Sequence, residues 1–283
     1  MIRTGILKGW RLWKLSLVLY IVELVMALFI GLQVMSAIED GISGSMDIER
    51  FMDSFDYSTY HDFLVLHGDV FDLLIFQLKL FIPIFFIVNI FTTAGILYCG
   101  KINSSRWRDF WKGGSIHFFG LLVNFILYSF LFLIWSLLWV GPMIWLVPYY
   151  LETVGCEACL FSTLIIMIPI YLFGLMYLIN ASAVSKCQLI EKDISNLYAF
   201  GHGLGYSLRR MVKLSGIFLF FFLALMVILT IYNVFVRSLG LTTPTLIILT
   251  AIVQQFIIWL RVLFRMMYLY SVQAMHFKKV SNE

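Results

Sequence analysis

Six stretches of this chain are apolar for long enough to cross a lipid bilayer, and that constrains its fold more than anything else in the sequence. They are about Leu12–Met35, Leu78–Cys99, Ile116–Val140, Leu160–Ser185, Leu214–Val236 and Thr245–Val272. Each exceeds the roughly 20 residues a helix needs to span the hydrocarbon core. A backbone in hydrocarbon must satisfy its own hydrogen bonds, and runs of this length do so as helices. Only 13% of the 283 residues are charged and mean hydropathy is +0.94, whereas a soluble domain carries about a quarter charged residues. The expected fold is all-α: a single polytopic membrane helical bundle of six transmembrane helices, with amphipathic interfacial helices between them. The first run is too long for a cleavable leader and lacks a small-residue cleavage site, so it is expected to be retained.

Charge placement sets the expected orientation. Lys and Arg cluster at Arg3–Lys14, Lys101–Lys112, Lys186–Lys213 and Lys278–Lys279, while the alternate connections are acidic or nearly uncharged. By the positive-inside rule both termini are cytoplasmic in a bacterial inner membrane. Each basic cluster abuts a span, so topology explains it and no nucleic-acid partner is implied. The partners expected are membrane lipids and other membrane or periplasmic proteins.

The outer connection, residues 36–72, holds nine acids against the single Arg50. Its apolar residues, among them Ile48, Phe51, Phe55, Phe63 and Leu64, recur at helical spacing. Two short amphipathic helices with acids toward water are expected there, with Asp47, Phe51, Phe55, Asp56 and Phe63 as candidate partner-binding residues. Further along, Cys156 and Cys159 form a C-x-x-C on the predicted outer side. A disulfide is the first reading of that pair in an oxidising compartment. A dithiol redox centre lacks a thioredoxin-like unit around it, and a zinc half-site lacks further ligands nearby. Cys99 and Cys187 read as reduced core residues.

A basic, glycine-containing segment leads into an outgoing span three times: ILKGWRLWKLS, FWKGGSIHFFG and FGHGLGYSLRRMVKLS. Three incoming spans end in small and polar residues, TTAGILYCGK, NASAVSKCQL and LYSVQAMHFK. Placing Cys99, Cys187 and Met275 in register gives three pseudo-repeated helical hairpins, the parallel-repeat arrangement known from transporters. The segments 104–114 and 193–213 precede the third and fifth spans; in the second, Leu197, Phe200, Leu204, Leu208, Met211 and Val212 form an apolar stripe, expected to be an interfacial helix leading into the span.

Charge inside the bilayer is costly and normally faces protein, water or a counter-ion. Glu23 lies roughly 13 Å, and Arg261 roughly 16 Å, from the cytoplasmic edge at 1.5 Å per residue. Arg261 and Arg265 share one face of the last span. Three readings stay open: a structural ion pair between Glu23 and either arginine, a polar cavity for an anionic head group or solute around these residues with Gln254 and Gln255, and an Arg265 that snorkels to the interface. Elsewhere, Asn89, Asn124 and Asn180 are expected to hydrogen-bond between helices.

Motifs for catalysis are absent: there is no H-E-x-x-H and no G-x-S-x-G, and Gly201–Gly205 lacks the lysine and hydroxyl of a phosphate loop. No cofactor and no metal site are expected, the pattern of His61, Asp62, His67 and Asp69 matching no known ligand spacing. The chain resembles a broad group of bacterial six-span membrane proteins of unknown function. The resemblance is carried by Gly9-Trp10, Arg50-Phe-Met-Asp-Ser-Phe-Asp56 with Phe63, Ala94-Gly-Ile-Leu97, and Gln254-Gln255, Arg261, Arg265 and Tyr268. It implies the six-span fold and no particular activity. Where a charged pair would be expected to close the fourth span, Asn180-Ala-Ser-Ala183 stands instead. The expected function is non-enzymatic, a subunit or scaffold of an envelope-biogenesis complex. The alternative is a permease or lipid-handling protein whose polar cavity is built on Glu23, Arg261 and Arg265.

If Glu23 pairs with Arg261, Glu23→Arg should destabilise the detergent-solubilised protein by roughly 3 kcal/mol, because a buried charge is left facing a like charge. Adding Arg261→Glu should restore most of that loss in a thermal melt; a swap that restores nothing contradicts the pairing.

Overall fold

The computed structural model describes residues 2–42, 68–150, 157–192, 194–239 and 243–280, which form eight α-helices. In chain order these are α1 (Ile2–Arg11), α2 (Trp13–Ile42), α3 (Gly68–Ile102), α4 (Trp107–Pro148), α5 (Glu157–Lys192), α6 (Asn196–Arg209), α7 (Met211–Leu239) and α8 (Pro244–Val280). Six of them, all but α1 and α6, are long and apolar enough to cross a membrane. The chain is a multi-pass helical membrane protein. The residues proposed for partner binding, Asp47, Phe51, Phe55, Asp56 and Phe63, lie outside the described residues, as does Cys156.

Residues 107–114, which precede the third span as read from sequence, are the opening turns of α4, which runs unbroken for 42 residues. Nothing in FWKGGSIHFFG breaks the backbone ladder; its glycines are helical and serve packing. The break falls earlier, at Asn103, whose φ of 53° is a left-handed conformation that asparagine tolerates. Ser104 secures this turn: its hydroxyl donates to Asp109 and accepts from the Arg106 amide. At the fifth span the expectation agrees with the structure, because α6 is a distinct helix ending at Arg209 before α7 begins.

The helices divide into two units. The smaller, residues 18–89, holds most of α2 and the first part of α3, with Phe29 stacked on Phe81 at 5.3 Å between ring centroids. The larger, residues 1–17 and 90–283, contains the end of α3 and all of α4 to α8, together with α1 and the start of α2. Its core is concentrated at the basic end of the helices. Buried there are Ala94, Leu97, Val184, Cys187, Ile190, Leu214, Leu263, Val272 and Met275. Toward the opposite end, Phe130, Leu137, Ile144, Phe161, Ile165, Val227 and Ile248 are exposed, as suits side chains that meet lipid.

Packing at the basic end repeats one device three times. Gly5 and Gly9 of α1 lie against Ser271 and Met267 of α8. Gly113 and Gly114 of α4 lie against Tyr98 and Phe91 of α3, while Gly95 of α3 receives Phe110. Ala199, Gly203 and Ser207, one turn apart on α6, are buried, and Gly203 sits against Ala181 and Ser185 of α5. Small residues let backbones approach closely, which matters where lipid supplies no hydrophobic drive for helices to associate. Each incoming helix thus accepts a glycine-bearing basic segment. The register residues Cys99, Cys187 and Met275 are each fully buried.

Two glycines of α6 make a matched test. A Cβ on Gly203 would stand 2.7 Å from the Tyr128 hydroxyl and 2.8 Å from the Ala181 carbonyl oxygen, whereas one on Gly201 meets nothing within 4 Å. Gly203→Ala should destabilise the protein by about 1–3 kcal/mol through overpacking. Gly201→Ala should be neutral or stabilise it by up to about 1 kcal/mol. Thermal melts of the two variants check this.

Candidate functional site

Within the larger unit, four helices each turn one stripe of side chains toward a common cavity of about 410 Å³. The spacing is helical in every case: Phe125, Tyr128, Ser129 and Phe132 on α4; Ile179, Ser182, Ala183 and Lys186 on α5; Phe218, Phe221, Phe222 and Leu225 on α7; Arg261, Phe264, Arg265 and Tyr268 on α8. Thr93 of α3 and Leu269 of α8 complete the lining. The volume falls in the range of small-molecule pockets, about 300–1,000 Å³.

Three basic side chains line this space, and the described lining contains no acid. Arg261 and Arg265 are exposed, and Lys186 is partly buried. The Arg265 guanidinium donates through Nη2 to the Thr93 hydroxyl at 3.1 Å, which orients it inward rather than leaving it to snorkel. Lys186, on the facing helix, stands close enough to Arg265 for the two charges to oppose each other.

Around the cations, hydrogen bonds fix the walls. Tyr268 donates to Asn180 Oδ1 at 2.8 Å, and Asn180 Nδ2 donates to the Met176 carbonyl at 2.9 Å. The Ser185 hydroxyl donates to Asn124 Oδ1 at 2.6 Å, joining α5 to α4 in a fully buried contact. The Tyr128 hydroxyl reaches the Phe200 carbonyl of α6 at 3.4 Å. Aromatic rings close the α7–α8 side: Phe218 meets Tyr268 edge to face at 5.8 Å, and Phe221 meets Phe264 at 6.0 Å.

The structure brings together part of the residue set expected from sequence. Arg261 and Arg265 share the cavity. Gln254, exposed, and Gln255, partly buried, lie about two to three turns before the arginines on α8 and do not line it. Asn124 and Asn180 make the interhelical hydrogen bonds expected of them, whereas Glu23 belongs to the smaller unit. Its pairing with an arginine stays with the charge-swap experiment. Lys186 was counted in the sequence among the charges that set topology. Its position one turn beyond Ser182 on the small-residue face of α5 is the signal that places it here.

At the basic end a second polar cluster ties α5 to α8. His276 Nδ1 lies 3.2 Å from Glu191 Oε2, both side chains about 5% exposed or less, and the His276 ring packs against Tyr206 and His202 of α6. Lys101 donates to the Ile190 and Glu191 carbonyls at 2.8 and 3.3 Å, holding α3 to the same point. Lys8 of α1 lies over the Tyr270 ring at 5.5 Å; burial lowers its pKa, and the nearby Glu191 carboxylate opposes that shift. Among the described residues no group of three or more His, Cys, Asp or Glu side chains is placed to hold a metal ion. Cys159 is disulfide-bonded, and Cys99 and Cys187 are buried free thiols.

No protein-family model, no curated protein and no solved structure matches the chain.

Proposed function

We propose that this protein is an inner-membrane, non-catalytic lipid-handling protein that holds an anionic amphiphile inside the bilayer. The head group sits among Lys186, Arg261 and Arg265, and the chain lies against the phenylalanines of α4 and α7. One observation carries this reading: basic side chains from two helices converge on a cavity otherwise walled by aromatic, aliphatic and small residues. Intramembrane cations are expensive and mark ligand or ion pathways. A cavity apolar along its walls and basic at one locus suits a ligand that is itself apolar with one charged end. The orientation proposed is that of the positive-inside rule, with the basic end and both termini in the cytoplasm. The subunit or scaffold role rests on the acidic connection around Asp47–Phe63, and the cavity adds no support to it.

Lipids retained through gentle solubilisation, identified by mass spectrometry of the purified protein, test the proposal. The wild type should retain an anionic lipid. A Lys186→Gln/Arg261→Gln/Arg265→Gln variant should lose it by roughly tenfold or more, since a hydrogen bond to a charged group contributes about 1.5–3 kcal/mol and about 1.4 kcal/mol is tenfold in affinity. Retention of zwitterionic lipids alone, or equal anionic lipid on a folded triple variant, contradicts the proposal.

A further inference from the structure

We propose that the outward faces of the three basic segments form a docking surface for anionic phospholipid head groups, which sets the basic end of the protein in the head-group layer of one leaflet. This surface uses none of the residues that line the cavity. Each segment turns glycine inward: Gly5 and Gly9 of α1 on α8, Gly113 and Gly114 of α4 on α3, and Gly203 of α6 on α5. The opposite face carries the same pairing in all three places. Trp10-Arg11 and Trp13-Lys14 are exposed where α1 meets α2, Trp107-Arg108 and Trp111-Lys112 at the start of α4, and Leu208-Arg209 and Val212-Lys213 where α6 meets α7. In each segment the second pair follows the first by three or four residues. An apolar side chain and a cation therefore recur one helical turn apart on the same side.

The first argument for lipid is charge. Residues 2–17, 106–116 and 194–216 contain one acid, Asp109, and it accepts from the Ser104 hydroxyl. Cations thus dominate these faces, and a basic surface beside a bilayer attracts anionic lipid. The second argument is continuity. Further along, the same side of the helix stays apolar and exposed, through Phe119, Val123 and Ile126 on α4 and Leu219 and Leu223 on α7. Both helices are long and apolar enough to cross a membrane, and the basic pairs stand where their exposed apolar stripes end. The third argument is length. From Trp111 to Trp139 along α4 is roughly 42 Å at 1.5 Å per residue, against about 40–45 Å for a bilayer with its head groups. Indole rings concentrate at that boundary, and amphipathic segments rich in Lys and Arg lie in it.

Electron spin resonance of spin-labelled phosphatidylglycerol and phosphatidylcholine, each added to the full-length protein in phosphatidylcholine vesicles, measures which lipid the protein surface prefers. Phosphatidylglycerol should associate about threefold more strongly or better. Raising salt from about 0.01 M to about 1 M, which shortens the Debye length from about 30 Å to about 3 Å, should remove most of that preference. An Arg11→Gln/Lys14→Gln/Arg108→Gln/Lys112→Gln/Arg209→Gln/Lys213→Gln variant should take the two lipids equally. Arg11→Lys/Arg108→Lys/Arg209→Lys should keep the preference, because its charge is unchanged, and so should Lys186→Gln/Arg261→Gln/Arg265→Gln. The salt series uses the unaltered chain and decides the matter even where the six-residue variant does not fold. Equal association of the two lipids with the wild type overturns the proposal, and is the result expected where a second copy or another protein covers these faces. A preference that survives high salt, or the six surface substitutions, overturns it as well; if the cavity variant then loses that preference, the lipid-handling reading stands without this surface.

Discussion

Hydrocarbon on the outside is the constraint from which this architecture follows. Where the solvent is as apolar as the side chains, burying leucine gains little, and helices associate through close contact and interhelical hydrogen bonds. The protein answers with small residues at the basic end. Gly5, Gly9, Gly95, Gly113, Gly114 and Gly203 each stand where a side chain would collide with the neighbouring helix. Buried contacts such as Ser185 to Asn124, and the Tyr270 hydroxyl to the Ile96 carbonyl at 3.2 Å, fasten the same region. The opposite ends of α4, α5, α7 and α8 carry exposed apolar residues instead. The larger unit is therefore close-packed at its basic end and exposes apolar side chains at the other.

The same constraint accounts for the cavity. Close packing joins α6 to α5 through Gly203 and α1 to α8 through Gly5 and Gly9. Neighbouring faces of α4, α5, α7 and α8 line a cavity of about 410 Å³ with rings, long cationic side chains and, on α5, Ser182 and Ala183. Arg265 is tied to Thr93, and the rings of α7 meet those of α8. Three basic side chains, those of Lys186, Arg261 and Arg265, line that space.

Much of the fold was legible in the sequence. Length and hydropathy placed the six spans, because backbone hydrogen bonding leaves a long apolar run no alternative to a helix. The burial of Cys99, Cys187 and Met275 could be read because small and polar residues recur where helices approach closely. What escaped was continuity: FWKGGSIHFFG and FGHGLGYSLRRMVKLS share a composition, yet the first joins its span and the second stands apart as α6. Tertiary contacts of Phe110, Gly113 and Gly114 with α3 decide the first case. Lys186 escaped for a related reason. A lysine near the end of a span reads as a topology charge, and only the helix it faces reveals whether it points to water or to a cavity. The arginines were easier, because two cations within an apolar run call for a polar environment.

The central claim is that Lys186, Arg261 and Arg265 hold an anionic head group within the membrane. A cryo-electron microscopy map of the protein extracted directly into native lipid discs, without detergent, tests it most directly. The account predicts a compact density within hydrogen-bonding distance of Lys186 and Arg265, continuous with a chain-like density along Phe218 and Phe222. A well-resolved cavity holding only water, or only a hydrocarbon tail with no head group at the basic side chains, would contradict it.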